Sequence, residues 1–228
     1  MDQRLARIYS LLATDGKGII DVGTDHGLIP ILLARNGYTG SIFATDIREG
    51  PLNTARAAAA QAGVADRIEF QLCDGLALCP PERVDCIAIA GMGGDTVCGI
   101  LDRAEWLFSA PYRLVLQPMT RAEVLRYWLI HNGFCIVTEE VVAENGHIYQ
   151  LFAAEQGTSA HYMDSEYLVG KKPHHGNNPG FQLLISEQLT LVEKKLTGMR
   201  ISGQQGTPAF CFYDHIRKEL TRSFSSCQ

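Results

Sequence analysis

Short apolar runs alternate with longer segments of helical periodicity through the first two thirds of the chain, the pattern of strand–helix–strand units around a mainly parallel sheet. Strands are predicted near Gly18 to Val22, Ser41 to Asp46, Arg67 to Cys73, Val84 to Ala90 and Arg113 to Gln117. Helices are predicted near Leu28 to Asn36, Pro51 to Ala62, Asp95 to Trp106 and Arg121 to Asn132. After Gly133 the pattern changes. Phe134 to Val142 and Ile148 to Ala153 flank Glu144-Asn145-Gly146-His147, a hairpin-like turn. The expected architecture is therefore α/β, a seven-stranded sheet that is parallel except for a terminal antiparallel hairpin.

Two regions lie outside that alternation. At the start, Leu5, Ile8 and Leu12 share one face of a helix over Gln3 to Leu12, expected to pack on the sheet or lid the site. At the end, Gly170 to Gly180 is rich in helix breakers and leads to an apolar stripe of Ile185, Leu189, Val192 and Leu196. Thr207 as cap and Pro208 at the first helical position then open a second helix, whose Phe212, Ile216, Leu220 and Phe224 fall on one side. The division expected is 1–160 for the sheet domain and 161–228 for a linker and a small C-terminal helical hairpin. That hairpin buries its stripes against each other or against a second subunit, so a monomer and a homodimer both stay open.

Composition sets the class. The 228 residues are 46% hydrophobic and 20% charged, enough for one enzyme-sized core with an appendage. No run of eighteen apolar residues occurs, and Met1-Asp2-Gln3-Arg4 leads into a mixed segment rather than a signal sequence, so a cytoplasmic protein without a membrane span is expected. The seven cysteines form no C-x-x-C pair and the histidines no ligand cluster, so they are read as mostly buried small hydrophobes, with no metal. The net charge of −5 is uneven. Residues 1–156 hold 12 Lys+Arg against 19 Asp+Glu, a net of −7, whereas residues 157–228 hold 8 against 6, a net of +2.

The candidate chemistry sits at strand ends. Asp21-Val22-Gly23-Thr24-Asp25-His26-Gly27 closes the first strand with a carboxylate and two glycines, Gly23 and Gly27, that allow a ligand close to the backbone. The spacing G-x-x-x-G differs from the dinucleotide fingerprint, and a carboxylate in the loop repels a pyrophosphate. Asp21 and Asp25 suit a ligand with a cationic end, such as S-adenosylmethionine, with its sulfonium and ammonium. Asp46 ends the second strand, placed to accept from ribose hydroxyls. Asp74 and Gly75 follow the third, placed for an adenine amine and ring. A glycine turn alone is no more than a tight connection, but three acidic strand ends in succession favour this cofactor over NAD. Gly91-Met92-Gly93-Gly94 makes a bulk-free loop after the fourth strand, Gly91 and Met92 on the cofactor side and Gly93 and Gly94 on the acceptor side. Gln117, followed by Pro118, ends the fifth and either meets a base edge or satisfies backbone groups.

Asp21-Val-Gly-Thr-Asp-His-Gly-Leu-Ile-Pro30, Thr45-Asp46 with Gly50-Pro51-Leu52, Gly91-Met-Gly-Gly94 and Leu116-Gln-Pro118 resemble the bacterial TrmK family. The likeness covers about residues 4 to 155. It implies a Rossmann-like class I methyltransferase fold with a helical C-terminal arm, and transfer of a methyl group from S-adenosylmethionine to N1 of adenine 22 in tRNA. Leu28 stands where the family has tyrosine, Met119 where it has asparagine, and the tail is short for the family's arm.

Under that reading Asp25 accepts from the adenine amino group and, with Gln117, is the catalytic candidate. His26 contacts substrate or caps the following helix. Arg4, Arg7, Lys171 and Lys172 grip phosphates together with tail cations. A methyltransferase acting on a small molecule or protein, an NAD-linked oxidoreductase and a non-catalytic nucleotide-binding protein are the rival readings.

Overall fold

The computed structural model describes residues 2–12, 14–171 and 178–225. Five strands form the parallel body: β1 (Gly18–Val22), β2 (Ser41–Asp46), β3 (Glu69–Leu72), β4 (Cys86–Gly93) and β5 (Arg113–Thr120). The hairpin strands β6 (Phe134–Glu144) and β7 (His147–Gln156) complete a seven-stranded sheet of order β3-β2-β1-β4-β5-β7-β6. β1 to β5 run parallel, β7 pairs antiparallel with β5, and β6 pairs antiparallel with β7. The two-residue turn holds Asn145 at φ 51° and Gly146 at φ 77°, the left-handed pair that matches strand twist in a tight hairpin.

Every residue of β1 is buried, as a central strand covered on both faces requires. Ile20, Phe43, Ile87 and Leu114 face one core, filled by α4 (Gly94–Asp102) and α5 (Ala122–His131). Ile19, Ile42, Cys86 and Val115 face the other, filled by α1 (Gln3–Leu11) and α2 (Leu28–Arg35), while α3 (Glu49–Gln61) backs β2 and β3. The chain leaves β1 toward β2 on one side and reaches β4 on the other. Their carboxyl ends therefore diverge at a topological switch point, where open sheets of this kind hold ligands.

α1 is capped by Asp2, whose carboxylate accepts from the Leu5 amide at 3.3 Å, and by Glu144, which accepts from the Gln3 amide at 2.9 Å. Ile8 and Leu11 are buried under it, so it packs on the sheet and also reaches the mouth of the site.

A short helix that the sequence pattern does not signal, α6 (Asp164–Val169), precedes α7 (Pro179–Ile201) and α8 (Pro208–Ser225). Thr207 does cap α8, its hydroxyl accepting from the Phe210 amide at 3.2 Å. Val192, Leu196, Ile216 and Leu220 pack between α7 and α8, while Phe181, Leu184 and Ile185 join Val141 of β6. These parts of the stripes thus close within one chain while Phe212 stays exposed, and the first part of α7 docks on the sheet.

Of the six described cysteines, Cys79, Cys86 and Cys98 are buried, but Cys211 is exposed because it lies on the open side of α8. Among the described residues no helix is long and apolar enough to cross a membrane, and no three His, Cys, Asp or Glu gather as metal ligands.

Candidate active site

Backbone bonds draw three strand ends together. The amides of Gly23 and Thr24 both donate to the Thr45 carbonyl, at 2.8 and 2.9 Å, and the Thr45 hydroxyl donates to the Gly75 carbonyl at 3.3 Å. The loops after β1, β2 and β3 therefore form one rigid rim. Above it lie two adjoining cavities of about 370 Å³ each, which share Gly23, Asp46, Arg48 and Met92.

The first cavity is lined by Asp21, Thr24, Asp25, His26, Gly27, Gly91 and Met92, and by Arg4, Leu5 and Ile8 of α1. Asp21 is 5% exposed, and burial pushes its carboxyl up to about 6, with nearby Asp46 adding to the rise and the Thr24 hydroxyl opposing it. Among the described residues no basic side chain pairs with Asp21. The Thr24 hydroxyl oxygen is itself buried and lacks a hydrogen bond of ordinary geometry. A buried acid beside a buried hydroxyl, both lining one cavity, fits a ligand that brings a cation and a donor. The first-loop reading from sequence included Asp21 and Asp25 but not Thr24, because a threonine inside a glycine loop carries no signal until its burial is known.

Asp46 uses Oδ1 to accept from the Arg48 amide at 2.8 Å, a local turn. It is nearly buried and still borders both cavities, so the turn bond does not remove it from either. The second cavity is an apolar slot between Ile47, Gly75, Gly99 and Ile100, with Asp74 and Arg103 at its edge. Asp74 accepts from Arg103 Nη2 at 3.0 Å, and Gly75 is required because a Cβ would stand 2.9 Å from Ile100.

Gly91, at φ 83°, is a bulge: the β4–β5 register shifts between Ala90 and Met92. The extra residue turns Met92 toward Gly23, whose missing Cβ leaves room for the methionine methyl. Asp25 and His26 stand at the mouth, their side chains exposed and 3.4 Å apart.

Several predicted acceptor contacts are placed elsewhere. Gly94 is buried, and a Cβ there would strike the Arg121 carbonyl, so its smallness serves helix–strand packing. Gly93 backs on Thr120, and Pro118 lines a neighbouring groove of about 290 Å³ rather than these cavities. Gln117 is 1% exposed; its Oε1 accepts from Arg4 Nη1 at 3.1 Å and its Nε2 donates to the Pro118 carbonyl at 3.0 Å. Its amide is thus engaged with Arg4 and with backbone, the second of the two readings the sequence left open.

Three of the four cations expected to grip phosphate are described, and each has its own surroundings. Arg4 lines the first cavity, Arg7 pairs with Glu140 at 3.3 Å, and Lys171 Nζ donates to the carbonyls of Ala160 and His161. Lys172 lies outside the described residues.

Comparison with known proteins places the chain among methyltransferases. Residues 1–152 match the family model described as a methyltransferase domain. The chain belongs to the methyltransferase domain family. A tRNA (adenine(22)-N(1))-methyltransferase of Bacillus subtilis (strain 168) is 30% identical over 143 residues, which are 63% of this chain and 60% of that protein. The matched stretch thus spans less than two thirds of that relative.

A Streptococcus pneumoniae protein, provisionally named as a tRNA (m1A22) methyltransferase and solved with S-adenosyl-L-methionine, superposes on this methyltransferase domain and its arm. Its TM-score is 0.80 at 28% identity, over 96% of this chain and 99% of that one. The M. capricolum TrmK structure, bound to S-adenosyl-homocysteine, has the same fold at TM-score 0.77 and 24% identity, over 100% and 97% of the two chains. The resemblance of the motifs to the TrmK family agrees with these relatives, over 143 residues for the Bacillus subtilis protein and 96% of the chain for the Streptococcus pneumoniae structure.

Proposed function

We propose that this chain transfers a methyl group from S-adenosylmethionine to N1 of an adenine in tRNA, with adenine 22 as the position. The observation that carries the reading is the buried Asp21, beside the buried Thr24 hydroxyl and without a cationic partner among the described residues, at the switch point of a methyltransferase-family sheet. The same carboxylates that suit a sulfonium and an ammonium oppose the pyrophosphate of a dinucleotide.

The residues present fit the cofactor part by part. Asp21 and Thr24 would hold the ammonium end, Asp46 the ribose hydroxyls, and the slot of Ile47, Gly75, Gly99 and Ile100 the adenine ring, with Asp74 at its amino edge. S-adenosylmethionine supplies a methyl group already activated on a cationic sulfur.

Adenine N1 carries its own lone pair, so the protein needs no strong base. Its tasks are to align the acceptor and to exclude water. Methylation leaves a cationic ring, and Asp25 at the mouth accepts from the adenine amino group and offsets that charge. Leu28 is a half-exposed apolar side chain at the same mouth and offers apolar contact to an unstacked base. Because N1 lies on the Watson–Crick edge, the base must leave its pairing before it reacts. A tRNA acceptor carries a cytoplasmic location with it.

The test is transfer of labelled methyl from S-adenosylmethionine into unmodified tRNA, followed by nucleoside analysis. A 1-methyladenosine product is expected, lost in Asp25→Ala while calorimetric cofactor binding persists. Another methylated nucleoside, or transfer only into protein or small molecules, overturns the acceptor. Cofactor binding without any transfer overturns the enzyme reading.

A further inference from the structure

We infer that Arg4 is the cofactor-carboxylate clamp of the site, a binding residue delivered by α1; the inference rests on S-adenosylmethionine as the ligand of the cavity. The methionine end of that ligand is a zwitterion, and its carboxylate needs a cation near Asp21 and Thr24, which take the ammonium. Three side chains that line the first cavity can carry positive charge: Arg4, His26 and Arg48. Arg48 lies 3.9 Å from Asp46, at the ribose end, and is largely exposed. His26 faces Asp25 at the mouth. Arg4 alone of the three comes from α1, the others from the loops after β1 and β2.

Its position is held from three directions. Nη1 donates to the buried Gln117 at 3.1 Å, the guanidinium lies over the Tyr149 ring with its carbon 5.2 Å from the centroid, and the Arg4 amide points to the Glu144 carboxylate at 3.5 Å. Asp46, the last residue of β2, and Gln117, toward the carboxyl end of β5, lie on strands three inter-strand steps apart, about 14 Å. An arginine anchored on Gln117 and lining the cavity covers the methionine end of that span. A guanidinium has five N–H donors, so the bond to Gln117 leaves donors for a carboxylate, in the fork geometry suited to it. The aromatic face and the amide thus pre-orient a charge that neither neutralises.

The experiment compares calorimetric affinities for S-adenosylmethionine and for its decarboxylated form, which keeps the sulfonium and a primary ammonium. The wild-type protein is expected to prefer the carboxylated ligand by roughly 10- to 100-fold, the scale of a charge-assisted hydrogen bond. Arg4→Ala should abolish that preference by weakening S-adenosylmethionine alone, and Arg4→Lys should restore part of it. Arg7→Ala, on the same helix but paired with Glu140, should keep the full preference.

Because the readout is a ratio, a variant that folds less completely still reports. Equal weakening of both ligands by Arg4→Ala, an unchanged ratio, or the same loss in Arg7→Ala would overturn the clamp and make α1 docking the cause. A wild-type protein that binds both ligands equally overturns it too, with the cofactor reading intact. Binding of neither ligand overturns the cofactor reading itself, and the clamp with it.

Discussion

Arg126 Nε donates to Glu139 Oε1 at 2.6 Å, with neither side chain exposed to solvent. The remaining donors of Arg126 reach the carbonyls of Tyr167 and Leu168, at 2.8 and 3.1 Å, and Gln150 Oε1 at 2.6 Å, while Glu139 Oε2 accepts from the Lys171 amide at 3.1 Å. One ion pair therefore joins α5, the hairpin strands and the segment through α6 from which the chain leaves for the arm. Removing one partner from a buried pair costs about 3–5 kcal/mol, because the other charge is left uncompensated. Glu139→Gln and Arg126→Met should each lower the melting temperature by roughly 10 °C. The double change to methionine should recover only part, since the Tyr167 and Leu168 carbonyls still lose their donor; full recovery in a thermal melt would show that those carbonyl bonds contribute little.

The carboxyl of Asp21 titrates at about 6 in the free protein, above its ordinary range, because burial disfavours the charge. A raised carboxylate stabilises the fold below its unfolded value near 4 and loses that contribution as pH rises through about 6, by about 3 kcal/mol. Stability of the cofactor-free protein should therefore fall between about pH 4 and 6, and Asp21→Asn should flatten the decline. Cofactor affinity should run the opposite way, tightening through the same interval as the carboxylate ionises to meet the ammonium. Calorimetry across pH in both proteins checks the pair of slopes.

Asp46 and Asp21 serve different ends of the same ligand, and truncated ligands separate them. Asp46→Ala should weaken S-adenosylmethionine and methylthioadenosine alike, tenfold or more, because both carry the ribose. Asp21→Asn should weaken the first and spare the second, which has no amino acid group. Equal loss of both ligands in Asp21→Asn would argue that Asp21 shapes the loop instead of pairing with the ammonium.

Three glycines near the site should respond to alanine in a definite order. Gly94→Ala drives a Cβ into the Arg121 carbonyl, which is backbone and cannot swing away, so it should lower stability most. Gly91→Ala meets no atom and carries only the strain of φ 83°, about 1–2 kcal/mol. Gly23→Ala combines φ 79° with the end of the Met92 side chain, so it should cost more cofactor affinity than Gly91→Ala at similar stability. Melting curves and binding isotherms on the three variants give the order directly.

The periodicity of the sequence determined the seven-stranded α/β architecture, the hairpin at Asn145-Gly146 and the helical pair opened by Thr207-Pro208. These follow from apolar spacing and turn chemistry, both local properties. The positions of Asp21, Asp25, Asp46 and Asp74 were legible for the same reason: each lies in the last residues of a predicted strand or in the loop after it, and parallel strands bring their carboxyl ends to one edge.

Contacts between distant segments had no such signature. Arg4 and Gln117 lie 113 residues apart, and only the docking of α1 across the end of β5 turned a presumed phosphate contact into a wall of the cavity. Thr24 became notable through burial, Gly94 through the carbonyl behind it, and Arg126 through a partner on another strand. Tertiary structure decided those roles, because burial and long-range hydrogen bonds depend on which surfaces meet, and a linear pattern does not encode which side chain will stand opposite another.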